Sequence, residues 1–198
     1  MQRLEGKTIL LVGGGGIGSG LARRYAQEGA AVVLGDIKPE ASAALIDEIN
    51  KKGGKAVATR MDASDEASIE AAVALTCKTY GGLAGLHLNY ASFADEGRND
   101  EDVLDLPMEA YDKTMNVDVR GQFLCTRKAL PEILKRGGGC ILYAGSGGAY
   151  MGEPTRVAYA MSKLSCHALM RHVATKFGPS GVRANCLSPG ITMHAGWE

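Results

Sequence analysis

The strongest constraint on the fold is a regular alternation between short apolar runs and longer segments with helical spacing. Six runs predict buried strands: Thr8–Val12, Ala31–Leu34, Lys55–Thr59, Gly85–Leu88, Cys140–Ala144 and Arg183–Leu187. Five segments between them predict helices: Ile17–Glu28, Glu40–Lys51, Asp65–Tyr80, Met108–Lys135 and Val157–Phe177. Such alternation produces parallel βαβ units, whose right-handed crossovers place helices on both faces of one sheet. We therefore predict a three-layer α/β fold with a doubly wound parallel sheet, in strand order 3-2-1-4-5-6.

Glycine and proline positions indicate where these elements end. Gly29 and Gly53 follow the first two helices, where a left-handed residue closes the last turn. Pro131 lies late in the fourth helical segment and predicts a kink or a shortened helix. The polar segment 92–105 predicts a surface loop. Because no repeat and no second compositional region occurs, we expect a single domain over residues 1–198.

The charge balance excludes several classes of function. The 198 residues contain 22 Lys and Arg against 22 Asp and Glu, so no basic excess favours nucleic-acid binding. No apolar run approaches the roughly 20 residues that a membrane-spanning helix needs. No secretion signal is apparent at the start, so we expect a cytoplasmic location.

The cysteines and histidines predict no metal site. Five cysteines occur without any C-x-x-C spacing, and the four histidines form no H-E-x-x-H motif. The cysteines lie within apolar segments, which favours buried reduced thiols.

A glycine-rich turn follows the first predicted strand and leads directly into a helix. Backbone N–H groups at such a turn, together with the helix dipole, form a site for a pyrophosphate. We therefore predict that a dinucleotide contacts the residues of this turn: Gly13, Gly15, Gly16, Ile17 and Gly18.

Asp36 follows the second predicted strand and indicates which dinucleotide binds. A carboxylate at this place can accept hydrogen bonds from a ribose 2′-hydroxyl, whereas a 2′-phosphate would meet like charge. The adjacent Ile37 offers no compensating cation, so we expect NAD rather than NADP. Asp36 as a solvated turn residue is the alternative.

Polar residues also follow the third and fourth strands. Asp62 with Ala63, and Asn89 with Ala91, border the predicted cleft and are candidates for adenine and ribose contacts. The alternative is that Asp62 and Asn89 only cap turns.

Tyr159 and Lys163 lie one helical turn apart on one face of the last helix. A free phenol ionises only near pH ~10, and a neighbouring ammonium favours the phenolate, so such a pair can serve as an acid and base. The same pentapeptide is also common in purely structural helices. Ser146 follows the fifth strand and faces the same cleft.

Taken together and in this order, these motifs resemble those of the short-chain dehydrogenase/reductase family, which has a Rossmann-like fold. The resemblance rests on the glycine turn, Asp36, Asp62, Asn89-Tyr90-Ala91, Asn116-Val117, Ser146, Tyr159 with Lys163, and Pro189-Gly190. It covers nearly the whole chain. The glycine turn is one residue shorter than the family pattern, and the usual Asn-Asn-Ala-Gly reads Asn-Tyr-Ala-Ser.

The resemblance implies a catalytic tetrad of Asn116, Ser146, Tyr159 and Lys163. Tyr159 would exchange a proton with the substrate oxygen, Ser146 would hold that oxygen, and Lys163 would bind the nicotinamide ribose. Asn116 would hold a water that links Lys163 to solvent. The segment Pro189, Gly190, Ile191 and Thr192 would contact the nicotinamide.

The resemblance also implies an NAD-dependent oxidoreductase that interconverts a secondary alcohol and a ketone. A dinucleotide-binding relative without turnover and an NADP-linked 3-oxoacyl-type reductase are the alternatives. The chain stops eight residues after Gly190, so we expect the family's lid and seventh strand to be absent. Two helices resemble the family's subunit interface, which predicts a homodimer or homotetramer that binds a small-molecule substrate.

Overall fold

One parallel sheet forms the centre of the molecule. The computed structural model describes residues 2–92 and 101–193. Within these ranges the strands are β1 (Thr8–Val12), β2 (Ala31–Asp36), β3 (Lys55–Arg60), β4 (Gly85–Leu88), β5 (Gly139–Ala144) and β6 (Val182–Leu187). Their order is β3-β2-β1-β4-β5-β6, and every adjacent pair is parallel. The predicted sheet and strand order are confirmed.

Helices cover both faces of this sheet. They are α1 (Gly16–Gln27), α2 (Ala43–Lys51), α3 (Glu66–Tyr80), α4 (Met108–Thr114), α5 (Gly121–Lys135) and α6 (Val157–Phe177). Successive side chains of β1 point to opposite faces, so Leu10 packs in the cluster that includes Ile133 of α5, whereas Leu11 packs in the one that includes Ala22 of α1. No described helix combines the length and apolar character needed to cross a bilayer.

The predicted helix Met108–Lys135 is interrupted in its regular winding. A π-helical segment, Met115–Arg120, joins α4 to α5. Such segments insert an extra residue into a turn and are frequent at functional sites. Here the segment contains Asp118, whose side chain is buried. The chain stays helical past Pro131 to Lys135, so the helix is not shortened at that proline.

Most predicted boundaries are accurate to one or two residues. Gly29 and Gly53 adopt the expected positive φ values of 90° and 84°. The segment that was predicted to begin a helix at Glu40 starts instead as a 3-10 turn, Pro39–Ser42. Most of the predicted loop 92–105, namely 93–100, lies outside the described residues.

A buried histidine links the sheet to α1. His87 of β4 is almost fully buried, and its Nδ1 lies 2.8 Å from the hydroxyl oxygen of Tyr25. Burial lowers the pKa of His87 to about 4. The imidazole is therefore neutral in the folded protein near neutral pH.

The neutral state of His87 should make stability depend on pH. Between its folded pKa and its unfolded value near 6.5, only the unfolded chain binds the proton, so the free energy of unfolding falls as pH decreases across this window. We expect the free energy of unfolding to fall by about 3 kcal/mol between pH 7 and pH 4, and we expect no such fall in His87→Gln. Urea unfolding at several pH values measures it, with the exposed His172→Gln as control. An equal pH slope in both variants and the wild type would contradict the prediction.

Candidate active site

A cleft of about 670 Å³ opens at the carboxyl ends of the strands. This is where parallel α/β sheets bind their ligands, because the loops that follow neighbouring strands diverge there. Most of the predicted site residues line it together: Gly13, Gly15, Gly16, Ile17, Asp36, Ile37, Asp62, Ala63, Asn89, Ala91, Ser146, Tyr159, Lys163, Pro189 and Gly190. Residues spread over the sequence thus meet at one edge of the sheet.

The glycine turn is shaped for close approach of a ligand to the backbone. Gly15 precedes α1 as its N-cap, and a Cβ placed on it would meet no atom within 4 Å. Gly18 packs inward, since a Cβ there would lie 1.9 Å from the carbonyl oxygen of Gly13. Gly18 therefore allows α1 to pack closely against the turn. Gly15 leaves the N-terminus of α1 open to an anion.

Asp36 connects this turn to β2. One carboxylate oxygen accepts a hydrogen bond from the Gly14 N–H at 2.7 Å, and the other accepts one from the Lys38 N–H at 2.9 Å. These bonds fix the orientation of the carboxylate at the cleft wall. Each oxygen has a further lone pair available for a ligand hydroxyl.

The other strand-end residues are also held by local bonds. Asp62 accepts hydrogen bonds from the backbone N–H and the hydroxyl of Ser64, and the hydroxyl bond is the main cause of its lowered pKa. The Asn89 amide nitrogen lies 3.4 Å from the carbonyl oxygen of Gly13. Both residues thus stabilise turns, as the alternative interpretation expected, and both also line the cleft.

Ser146 follows β5 and begins a short 3-10 turn, Gly147–Ala149. Its hydroxyl oxygen accepts a hydrogen bond from the Gly148 N–H at 3.2 Å. Because that bond uses an oxygen lone pair, the hydroxyl proton remains available for a ligand in the cleft.

Tyr159 lies in the first turn of α6 beside two cations. The Lys163 ammonium is 5.8 Å from the centroid of its ring, and the guanidinium carbon of Arg156 is 5.4 Å away. Arg156 is the N-cap of α6, has a left-handed φ of 65° and forms an ion pair with Glu153. Two cationic groups therefore lie near the phenol ring, and the Arg156 charge is balanced by Glu153.

Lys163 is buried and strongly bonded. Its ammonium donates to the carbonyl oxygen of Tyr90 at 2.8 Å and to that of Ala144 at 3.1 Å. Burial lowers the pKa of Lys163, and the negative charge of Asp118 opposes that shift. Two of the three ammonium N–H groups are used in these bonds, which leaves one for a ligand.

Asp118 is a site residue that the sequence reasoning missed. Its carboxylate is fully buried and accepts hydrogen bonds from the Ser92 N–H at 2.6 Å and from the Ser162 hydroxyl at 3.1 Å. Burial raises the pKa of Asp118, and the ammonium of Lys163 is the largest influence that lowers it again. The two groups are thus electrostatically coupled in the interior.

The prediction for Asn116 was wrong. Asn116 is exposed and does not line the cleft; its amide oxygen lies 3.5 Å from the Arg120 guanidinium. The spacing of helical residues explains the difference. Position 116 lies half a turn away from the buried position 118, so the side chain that approaches Lys163 belongs to Asp118. A signal existed, because the polar residues at four-residue spacing along this helix all prove buried: Thr114, Asp118, Gln122 and Thr126.

Three more predicted contacts lie outside the cleft lining. Gly18 is the inward-packed glycine described above, and Ile191 and Thr192 are exposed. The Thr192 hydroxyl donates to the carbonyl oxygen of Gly190 at 3.2 Å. Pro189 and Gly190 reach the cleft, whereas the next two residues do not.

The cleft suits a dinucleotide. An open helix N-terminus at Gly15 fits a pyrophosphate, the oriented carboxylate of Asp36 fits a ribose, and Lys163 has a remaining N–H for a second ribose. These three features lie along one cleft, so the residues present fit the group that the sequence predicts.

Comparison with known proteins finds relatives over nearly the whole chain. Residues 13–196 match a family model described as enoyl-(acyl carrier protein) reductase. Oxidoreductase UcpA of Salmonella typhimurium is 35% identical, with 96% of this chain and 71% of the relative covered. The 2,5-dichloro-2,5-cyclohexadiene-1,4-diol dehydrogenase LinX of Sphingobium indicum is 33% identical, with 96% and 74% covered.

Solved structures show the same relationship. The crystal structure of levodione reductase superposes with a TM-score of 0.87 at 30% identity and covers 95% of this chain and 72% of its own. A dehydrogenase/reductase from Sinorhizobium meliloti gives 0.88 at 33% identity, with 98% and 75% covered. With the cleft and its Ser146, Tyr159 and Lys163 in place, the chain belongs to the short-chain dehydrogenase/reductase family of oxidoreductases, which use a nicotinamide dinucleotide.

Proposed function

We propose that the protein interconverts a secondary alcohol and a ketone with NAD as its cofactor. The observation that carries the proposal is the meeting of Ser146, Tyr159 and Lys163 in the cleft beside the glycine turn and Asp36. Names among the compared proteins support the reaction class, since one is a diol dehydrogenase and another a levodione reductase.

The chain's own residues have distinct tasks in this reaction. The Ser146 hydroxyl donates a hydrogen bond to the substrate oxygen and fixes its position. In the reducing direction Tyr159 gives its proton to that oxygen, and in the oxidising direction it takes the proton back. The ammonium of Lys163 stabilises the negative charge that Tyr159 then carries. When bound, the nicotinamide supplies or accepts the hydride.

Asp118 acts as a positioning residue behind Lys163. Its carboxylate is held by Ser92 and Ser162, and its charge favours the protonated lysine against the cost of burial. The lysine therefore keeps its ammonium form, which both the ribose contact and the stabilisation of Tyr159 require.

Removal of the Tyr159 hydroxyl should abolish turnover and preserve cofactor binding. Tyr159→Phe keeps the ring and loses the proton that is transferred, so we expect kcat to fall by roughly 10²–10⁴-fold. Absorbance of NADH during turnover of a panel of secondary alcohols and ketones measures the rate, and NADH fluorescence measures binding. Tyr111→Phe on α4 is the control. Tight NADH binding by the wild type with no turnover on any panel member would favour the dinucleotide-binding alternative without catalysis.

Removal of the Asp36 carboxylate should weaken the preference for NADH over NADPH. The carboxylate repels a 2′-phosphate and accepts hydrogen bonds from a 2′-hydroxyl, so Asp36→Ala should narrow the ratio of the two dissociation constants by at least about tenfold. Fluorescence titration with both cofactors measures this ratio, and Asp47→Ala on the exposed face of α2 is the control. Tighter binding of NADPH than of NADH by the wild type would instead support the NADP-linked 3-oxoacyl-type reductase.

Neutralisation of Asp118 should shift the pH profile of the enzyme. In Asp118→Asn the pKa of Lys163, already lowered by burial, loses the charge that opposes this lowering and falls further. The ammonium is then lost at lower pH, so the alkaline limb of the kcat profile should move to lower pH. Steady-state rates across the pH range measure the shift, with Asp112→Asn on α4 as control. A limb that stays in place in Asp118→Asn would show that Asp118 has only a structural role.

A further inference from the structure

A cluster of metal-binding side chains lies beside the proposed active site and has no task in the proposed reaction. Cys166 and His167 belong to α6, and Cys186 belongs to β6. The Sγ atoms of the two cysteines are 3.3 Å apart, and Cys186 Sγ is 3.5 Å from His167 Nε2. All three candidate ligand atoms lie within 4.8 Å of one another. Cys166 and His167 are buried, and Cys186 is half-buried.

The backbone of Gly145 packs closely against these groups. A Cβ built on Gly145 would lie 2.9 Å from Cys186 Sγ, 3.0 Å from the Ser188 hydroxyl oxygen and 3.3 Å from His167 Nε2. The Gly145 backbone therefore lies directly against a thiol, a hydroxyl and an imidazole nitrogen. A side chain at position 145 would displace the Cys186 thiol.

We infer that Cys166, His167 and Cys186 form a binding site for a zinc ion. Thiolate and imidazole are the ligands that zinc takes in protein sites. In a tetrahedral site, bonds of about 2.3 Å to sulfur and about 2.0 Å to nitrogen place two sulfurs about 3.8 Å apart and sulfur and nitrogen about 3.6 Å apart. The distance from Cys186 Sγ to His167 Nε2, 3.5 Å, is close to that value, and the S–S distance, 3.3 Å, is about 0.5 Å shorter than the tetrahedral one. The third pair lies within 4.8 Å, so small side-chain rotations bring the three ligands into place. Ser188 or a water supplies the fourth ligand.

The immediate surroundings are compatible with this ion. Two thiolates balance the charge of Zn²⁺, so the occupied site adds no net charge to the interior. His167 Nε2 also lies 2.6 Å from the Tyr150 hydroxyl oxygen. Tyr150 is largely exposed and can rotate into solvent when the nitrogen binds the ion.

A disulfide between Cys166 and Cys186 is the competing use of the two thiols. The imidazole beside the two thiols has no part in a disulfide, but it is a ligand that zinc takes. The presence of this nitrogen next to both sulfurs favours zinc. The sequence gives no C-x-x-C signal because the ligands come from adjacent positions on a helix and from a strand 20 residues away.

Zinc at this place would join two parts of the proposed active site. Cys166 lies three residues after Lys163, Cys186 lies three residues before Pro189, and Gly145 immediately precedes Ser146. The ion would tie α6 to the end of β6, and so would fix the helix that carries Tyr159 relative to the segment that lines the cleft.

Metal titration of the reduced full chain tests the inference. The protein is reduced with a phosphine under argon and titrated with Co²⁺, then with Zn²⁺. We expect one Co²⁺ per chain, with a thiolate-to-cobalt charge-transfer band and the visible bands of tetrahedral Co²⁺, both of which Zn²⁺ removes. Zinc at about a hundred times its dissociation constant should raise the melting temperature by roughly 5–10 °C.

Variants distinguish this site from other thiols. Cys186→Ser and His167→Gln should each lose the charge-transfer band or bind the metal at least about tenfold more weakly. Cys140→Ser on β5 should retain both the band and the wild-type affinity. Gly145→Ala keeps every ligand but places a Cβ 2.9 Å from Cys186 Sγ, so it should displace that thiol and weaken metal binding as well. Circular dichroism shows that each variant is folded. Reduced wild-type protein without a charge-transfer band, an undiminished band in Cys186→Ser, or thiols that form a disulfide and retain no zinc would overturn the inference.

Discussion

The arrangement of the site depends on one buried ammonium. Lys163 bonds to the carbonyl oxygens of Tyr90 and Ala144, which follow β4 and end β5 respectively. An ammonium taken out of water is costly unless its N–H groups are bonded and its charge is balanced. Holding α6 against the carboxyl ends of the two strands supplies the bonds, and Asp118 supplies the opposing charge. Placement of Tyr159, one turn earlier on α6, follows from that bond geometry.

Close backbone packing is the second constraint, and it operates on the other half of the cleft. Gly18 allows α1 to approach the carbonyl of Gly13, and that turn is held in addition by Asn89 and Asp36. Asp36 and Asn89 therefore line the cleft and also hold its turn. Asp62 likewise lines the cleft while it holds the turn at Ser64. A turn-stabilising role and the predicted cofactor contact are thus compatible in all three residues.

Local periodicity made the sheet predictable. Features that depend on contacts between distant segments could not be predicted in the same way. Apolar runs predicted the strands, and right-handed crossovers predicted helices on both faces of the sheet, because both depend on short-range geometry. The strand order was predicted from the usual doubly wound arrangement. The prediction for Asn116 was wrong for a physical reason: it came from the family resemblance of the Asn116-Val117 motif, whereas burial in a helix is decided by angular position. The spacing from Thr114 to Asp118 carried that information. The meeting of Cys166, His167 and Cys186 depends on the packing of α6 against β6, which no local pattern contains.

The coupling between Asp118 and Lys163 accounts for a carboxylate in the interior of this helix pair. Burial alone would neutralise each group, since it raises the pKa of the acid and lowers that of the lysine. The oxygens of Asp118 accept hydrogen bonds from Ser92 and Ser162 rather than from the ammonium. The carboxylate therefore stabilises the charge of Lys163 through space and leaves its N–H groups to the carbonyls and to a ligand. A direct ion pair would balance the charge equally well, but it would occupy the third N–H, which the proposed function assigns to the cofactor ribose.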